Sequence, residues 1–458
     1  MHHLVLLSCV ALACCDSSLA YLQAVLHVSP LPIGTIDTSK FLSVTLDTGL
    51  IRGTRFCGID WRKAVRLASF LSPAYLRLGG DDADWLIFQS SPQLTRPDEH
   101  DSSILQRWPC NMFARGYFNM TTSQWDRVNW FAQSSGLKLL FDANQVIGND
   151  NATNSGNWTW DTTNIELLLN YSSGMRYRMD FEVGNEQVAN YKRMREILDR
   201  YPLYRDSVLV GPANSWHADR LEKFLKAGAA CYINATTFHL VLNKYLKTAK
   251  SALNWTSTYS CGSKSVEVWN GETSSTGGGG APHLSDRYAA GFLFMDQLGQ
   301  SARLGIKAVF RQSLYYGNYS LLGLDSMPNP DYWIAFLHKK LVGRTILNVT
   351  VAAGGASNDS LRFYAHCDFS GTTLFGMNLA NETIKVTLTG LKGPFGEYAL
   401  APARRNLQSR TVLLNGQPLR FDGHAQPRLQ SKLVKPPLVV KPKTFGFWRT
   451  SSRPTHLC

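Results

Sequence analysis

The sequence predicts an α/β protein: a (β/α)8 TIM barrel followed by a C-terminal β-sandwich. Three observations predict it. Between residues 41 and 343, short apolar runs of strand type alternate with amphipathic helical runs, and eight such pairs can be read off the chain. Two of the strand runs end in a carboxylate, Glu186 and Glu272, at the ends where barrels of this kind carry their chemistry. From about residue 344 the pattern shifts to short alternating strands divided by turn signals.

Taken in order, Leu42–Asp47 is the first barrel strand and residues 62–71 a helix. Residues 74–80 are the second strand. Residues 89–118 hold Pro92, Pro97 and Pro109 and read as an excursion between units. A helix over 124–134 leads to a strand over 137–144. Helix 163–170, strand 178–186, helix 190–200 and strand 207–211 follow. Helix 217–228, strand 236–241 and a helix near 243–252 precede the strand that delivers Glu272. Helix 285–303, strand 307–312 and helix 331–341 complete the barrel, so Glu186 and Glu272 end the fourth and seventh strands. Beyond it, 361–366, 372–377, 384–388 and 411–414 alternate as strands, Asn415-Gly416 marks a tight turn, and Phe445–Trp448 is the last strand. Residues 21–40 supply one more strand to the sandwich. The stretch from Pro436 to Lys443 is too proline-rich for a central strand. The expected boundaries are therefore 1–20, 21–40, 41–343 and 344–458.

Residues 1–20 read as a secretory signal: Leu4 to Cys15 is mostly apolar, and Ser18-Leu19-Ala20 fits small-residue cleavage. No later apolar run is long enough for a membrane span. Ten Asn-x-Ser/Thr sites, at Asn119, Asn151, Asn157, Asn170, Asn234, Asn254, Asn318, Asn348, Asn358 and Asn381, suit a glycosylated protein. Cys57, Cys110, Cys231, Cys261, Cys367 and Cys458 remain after the signal, an even number that favours disulfides in an oxidising compartment. No metal-ligand spacing is present, and no cofactor is expected. The formal net charge is +13. A secreted basic protein can meet nucleic acid, anionic lipid or an acidic polysaccharide, and charge excess is often plain solvated surface.

Val266-Glu-Val-Trp-Asn-Gly-Glu272 places an acid at a strand tip, and the loop after it holds two serines, two threonines and four glycines before Pro282. So little side-chain bulk lets a large polar ligand approach the backbone. Alone, the stretch fits equally a capping glutamate beside a flexible loop. Arg178-Met-Asp-Phe-Glu-Val-Gly-Asn-Glu186 repeats the theme, with Asn185 beside Glu186. Two strand-tip acids suit glycoside hydrolysis, in which one protonates the leaving oxygen while the other attacks the anomeric carbon or activates water. Their environments must then hold the two pKa values apart.

These residues resemble the heparanase family, the retaining endo-β-glucuronidases of heparan sulfate, over nearly the whole chain after the signal. The likeness is carried by 41–47, by Leu71-Ser-Pro-Ala-Tyr-Leu-Arg-Leu-Gly-Gly80, by Glu182-Val-Gly-Asn-Glu186 and by Gly271-Glu-Thr-Ser-Ser275. Asp331-Tyr-Trp333, Lys339-Lys-Leu-Val-Gly343, Ala365-His-Cys367 and Leu414-Asn-Gly416 extend it. The resemblance implies Glu186 as acid/base, Glu272 as nucleophile and Asn185 as a contact to the sugar 2-hydroxyl. It implies Asp47 at the substrate, Gly278 and Gly279 offering N–H groups to a uronate carboxylate, and Gln312 and Tyr319 lining the cleft. His239 is either a cleft histidine or a buried core residue. A Cys367–Cys458 disulfide is also implied.

The departures lie in the loops. Gln187-Val-Ala-Asn190 replaces a longer insertion, and the segment after His239 is short. Asp81 and Asp82 stand where the family carries Thr-Lys, and Gly277 where it carries tyrosine. The 89–118 excursion is short beside the family's excised linker, so a single uncleaved chain is expected. The leading expectation is a secreted or lysosomal endo-β-glucuronidase acting with retention on heparan sulfate or a related acidic glycosaminoglycan, working best at mildly acid pH. Retention needs the two carboxyls about 5–5.5 Å apart. The other readings are a catalytically weak heparan sulfate-binding protein and a hyaluronan hydrolase or exo-acting β-glucuronidase. No nucleic-acid partner is expected, cell-surface association would run through proteoglycan, and the chain is expected to be monomeric.

Overall fold

The computed structural model describes residues 21–52, 56, 58–89, 117–145, 160–184, 188–215, 218–239, 245–354 and 360–458. The expected signal segment, Cys57, Cys110, Asn151, Asn157, Asn358, Asn185 and Glu186 lie outside these residues, as does most of the 89–118 excursion.

The first strand, β1 (Leu22–Thr35), precedes the barrel. Then come β2 (Leu42–Asp47), α1 (Gly49–Arg52), α2 (Trp61–Ser69) and β3 (Ala74–Gly79). The excursion is flanked by β4 (Leu86–Gln89) and β5 (Phe118–Thr121), which pair in parallel as a two-stranded ribbon that the alternation pattern had not marked. The chain continues through α3 (Thr122–Ser134), β6 (Leu137–Ala143), α4 (Thr163–Gly174), β7 (Met179–Val183), α5 (Val188–Asp199) and β8 (Leu209–Ser215). It proceeds through α6 (Ala218–Lys226), β9 (Ala235–His239), α7 (Tyr245–Thr258), β10 (Glu267–Thr273), α8 (Ala290–Leu304), β11 (Ala308–Arg311) and α9 (Pro330–Leu341).

Helix starts follow local chemistry. Asp60 caps α2 by accepting from the Lys63 amide. Thr121 and Gln124 form a reciprocal capping box on α3. Pro330 opens α9, where its missing N–H costs nothing. Helix α8 begins at Ala290 rather than at 285, because the Tyr288 and Ala289 amides donate to Ser409 O and Leu407 O instead of to carbonyls one turn back.

Eight parallel strands close in the order β10-β11-β2-β3-β6-β7-β8-β9. In strands every second residue faces inward. One inward layer is apolar: Tyr75, Leu140, Val210, Ala235, Trp269, Ala308 and Phe310 pack as one cluster. Two residues further along several of these strands the inward positions turn polar, as Arg77, Asp142, Thr237 and Gln312, with Glu182 joining them from β7. That polar layer is the floor of the site described below.

After the barrel come β12 (Thr345–Gly354), β13 (Leu361–Asp368), β14 (Gly371–Asn378), β15 (Ile384–Thr389), β16 (Phe395–Pro402), β17 (Val412–Leu414), β18 (Gln417–Pro418), β19 (Lys432–Val434), β20 (Leu438–Val440) and β21 (Thr444–Thr450). With β1 they make one continuous eleven-stranded sheet rather than two separate sheets. The sheet curls around its own core, because Ala24, Phe363, Val386, Val440 and Trp448, from strands far apart in the order, share one apolar cluster. The Asn415-Gly416 turn joins β17 to β18 with both residues at positive φ, 50° and 89°, as a two-residue hairpin requires. The short β20 lies at the end of the sheet path, next to Pro436-Pro437. Two disulfides staple the described chain: Cys231–Cys261, and Cys367–Cys458, which ties the C-terminus to β13.

Candidate active site

Strand β10 carries the central acid. Its register slips on both sides: Asn270 pairs with Phe238 and Val309, while Glu272 opposes His239 and Thr273 opposes Arg311. Such a bulge bends a strand and re-aims a side chain. The Asn270 side-chain amide faces the carbonyls of Phe238, at 3.1 Å, and Glu272, at 2.8 Å, and in the orientation that satisfies both its nitrogen donates to them and secures the bend. Glu272 then projects into the barrel mouth with its side chain 20% exposed.

One Glu272 oxygen is held and the other is open. Oε1 accepts from Arg77 Nη1 at 2.6 Å and lies 3.7 Å from His239 Nδ1. Oε2 has no hydrogen-bond partner among the described residues. Arg77 is fully buried on β3 and divides its guanidinium among three strands. Nη2 donates to Asp142 on β6 at 3.0 Å, and Nε donates to Glu182 on β7. The guanidinium lies across Gly79, where a Cβ would come 2.6 Å from Cζ, so only glycine fits beneath it. Burial opposes the charge on Arg77, but Glu182, Glu272 and Asp142 outweigh it and push its pKa up. Glu182 is held from its other side by the Thr237 hydroxyl at 2.9 Å. Arg77, Asp142, Glu182 and Thr237 were not singled out from the sequence. Their signal was a charged or hydroxyl residue at the inward position of several barrel strands.

The expected site residues stand in the following places. Asp47, at the tip of β2, accepts from the Gly49 amide at 2.8 Å and from Gln312 Nε2 at 3.3 Å. Gln312 in turn accepts from Thr45 Oγ1. Tyr319 is buried, and its hydroxyl is lifted to about 12 by burial and by the Asp47 charge, with Gln312 opposing. Gly278 and Gly279 are at positive φ, 61° and 87°, and a Cβ at either would meet nothing within 4 Å. The glycine loop leans on the next loop, with the Asn318 amide donating to Gly279 O at 2.6 Å. His239 is largely enclosed, its side chain 10% exposed, and lies next to the nucleophile candidate: burial and the Arg77 charge push its pKa down to about 3, Glu182 opposing, so the ring is neutral. Strand β7 brings the chain to Val183 and Gly184; Asn185 and Glu186 follow outside the described residues.

The mouth is acidic. Asp82 presses against Gly49 beside Asp47 and pairs with Arg52 at 3.1 Å. Burial and Glu272 raise the pKa of Asp81, and burial, with Asp81 adding, lifts Asp84 to about 6 against the Gln145 amide. Burial lifts Asp47 to about 7, helped by Glu272, Asp82 and Asp81 and opposed by the Gly49 amide. An acid whose folded pKa exceeds its unfolded value of 3.8 adds stability below that value and loses it as the pH rises through 7. Asp47→Asn removes this dependence. Wild-type Tm minus variant Tm, followed by calorimetry, is therefore expected to fall steadily between pH 4 and pH 8 (roughly the span over which Asp47 titrates). A constant difference would contradict the assignment.

Of the described glycosylation candidates, Asn119, Asn170, Asn234, Asn254, Asn318 and Asn381 are exposed, and Asn348 is half-buried on β12. Among the described residues no helix is long and apolar enough to cross a membrane, and no cluster of potential metal ligands occurs.

Comparison with known proteins places this geometry in context. The pattern of "Glycosyl hydrolase family 79, N-terminal domain" matches residues 60–244. The chain is 31% identical to heparanase of Bos taurus, over 89% of this chain and 88% of that protein. It is 30% identical to hyaluronoglucuronidase of Hirudo nipponia, over 88% of this chain and 92% of that one. Among solved structures, a 4-O-α-L-rhamnosyl-β-D-glucuronidase from Fusarium oxysporum aligns with a TM-score of 0.62 at 14% identity, covering 93% of this chain and 100% of that one. At that identity the likeness speaks for the fold.

Proposed function

This chain belongs to the heparanase family and is a glycoside hydrolase, and from that premise we propose that it is an endo-β-glucuronidase that cleaves heparan sulfate with retention of configuration. The observation that carries the reading is Glu272, with one oxygen pinned by Arg77 and the other open at the barrel mouth. In this reading Glu272 attacks the anomeric carbon, and Glu186 first protonates the leaving oxygen and then deprotonates the water that releases the sugar. Asn185 holds the 2-hydroxyl. Gly278 and Gly279 offer amides to the uronate carboxylate, and their open backbone suits a close approach. Asp47, Gln312, Tyr319 and neutral His239 shape the rest of the cleft. Asp47, raised to about 7, is protonated at mildly acid pH and can then donate a hydrogen bond to a sugar oxygen.

The acidic mouth favours a second substrate within the same chemistry. Asp81 beside Glu272 and Asp82 beside Asp47 add negative charge that disfavours sulfate, which suits an unsulfated glucuronate polymer such as hyaluronan. The chain would work as a glycosylated monomer outside the cell or in the lysosome, reached by the secretory route. The test is incubation with size-defined heparan sulfate and hyaluronan oligosaccharides at pH about 5, reading product lengths. Internal cleavage of heparan sulfate is expected. Cleavage of hyaluronan alone would replace the substrate, terminal release alone would replace endo action, and binding without products would leave a polysaccharide-binding protein.

A further inference from the structure

The acidic mouth sets a puzzle for a chain whose formal net charge is +13. The positive charge is concentrated elsewhere. Residues 403–435 contain seven Lys and Arg against a single acid, Asp422. Arg404, Arg405, Arg420, Arg428, Lys432 and Lys435 are all exposed, and none makes an ion pair among the described residues. The segment lies along one edge of the C-terminal sheet, where β17 and β19 both line the same side of β16.

Two sets of contacts fix where this edge runs. At one end it packs on the loop that leads from the glycine run to α8. The Tyr288 and Ala289 amides donate to Ser409 O and Leu407 O, each at 3.0 Å, and Arg410 donates to Asn329 at 2.7 Å and lies 3.9 Å from Asp286. At the other end Arg66 of α2 donates to Gly423 O and faces His424, and Phe421 meets Phe70 edge-on at 6.1 Å. Exposed Arg62 on α2 carries the charge onto the barrel wall. The strip therefore starts beside the loop that follows Glu272 and continues down one flank.

Edge strands often carry lysine to block pairing with other chains, which accounts for Lys432. It does not account for Arg404 and Arg405. They are consecutive in the connection after β16, at φ 55° and 57°, a conformation that favours glycine or asparagine. Two arginines held there side by side, with no ion-pair partner among the described residues, present planar donors suited to sulfate and carboxylate.

We propose that this strip is an exosite for the anionic extension of the polysaccharide chain whose scissile bond lies at Glu272. It rests on the reading of the substrate as an acidic glycosaminoglycan. Its contact with the α8 end of the segment that follows the glycine run suits one long polyanion running out of the cleft. It also divides the labour: the strip takes the charged extension, and the acidic mouth takes a weakly charged stretch for cleavage.

The test compares the full-length protein with the variant Arg404→Asn/Arg405→Asn/Arg420→Gln/Arg428→Gln, asparagine being used where φ is positive. KM for long heparan sulfate is expected to rise about tenfold at physiological salt, with hydrolysis of a heparan sulfate tetrasaccharide unchanged. Binding of long heparan sulfate and of hyaluronan to Glu272→Gln protein, with and without the four substitutions, gives a readout independent of turnover and separates sulfate from carboxylate recognition. Unchanged affinity for both polymers would overturn the exosite, as would an equal loss on the tetrasaccharide. Stronger dependence of phosphatidylserine vesicle or duplex DNA binding on the same four residues would also overturn it. If the wild type hydrolyses neither polymer, the proposed function fails, while the binding arm still decides the exosite.

Discussion

Glu272→Gln is expected to lower turnover on heparan sulfate oligosaccharides by about 10⁴-fold, a loss of the size produced when a member of a catalytic triad is disabled. The amide keeps the shape of the side chain but has no carboxylate oxygen to form a bond with the anomeric carbon. The fold should survive. Arg77 keeps Asp142 and Glu182 as anionic partners, and the Asn270 contacts to backbone carbonyls that hold the β10 bulge do not involve the Glu272 side chain. A thermal melt within a few degrees of wild type, together with the kinetic loss, is the expected pair of results. Turnover near wild type would remove Glu272 from the chemistry.

The second large effect is on Arg77. Arg77→Met is expected to destabilise the protein by about 3–5 kcal/mol, the cost of breaking a buried ion pair from one side. Asp142 and Glu182 are both buried, and the substitution leaves them facing each other without a cation. Asp142 is already raised well above its usual value by burial and by Glu182, with Arg77 opposing. Losing Arg77 therefore raises it further. Stability that requires a protonated carboxyl is lost as pH rises through that pKa, so the deficit in urea midpoint should widen from pH 5 to pH 8. Turnover should also fall, because Glu272 Oε1 loses its 2.6 Å donor. Arg77→Met/Glu182→Gln should recover part of the stability and none of the turnover. If Arg77→Met unfolds at the wild-type midpoint, the three-carboxylate hub is not holding the barrel floor.

The barrel was legible because alternating strand and helix patterns repeat in one direction along the chain, and the strand order follows the sequence order without exception. Glu272 was legible because a lone acid between an apolar strand and a glycine run is locally conspicuous. Arg77, Asp142 and Glu182 were not. Each sits in a strand of ordinary appearance, and they become one network only when β3, β6 and β7 close side by side. Asp81 and Asp82 were visible as a departure, but their bearing on Asp47 depends on the turn that brings Asp82 against Gly49. In the C-terminal region the alternation gave strands such as β13 and β14. Whether they formed two sheets or one curled sheet depends on β1 pairing with both β12 and β15, a contact between opposite ends of the chain.

The role of Glu272 is tested most directly by trapping. The protein is incubated with a 2-deoxy-2-fluoro-β-glucuronide bearing an activated leaving group, digested, and sequenced by mass spectrometry. A covalent sugar on the peptide carrying Glu272, absent from Glu272→Gln, is the predicted result. A label on Glu182 or Asp47, or turnover with an inverted first product and no label, would contradict it.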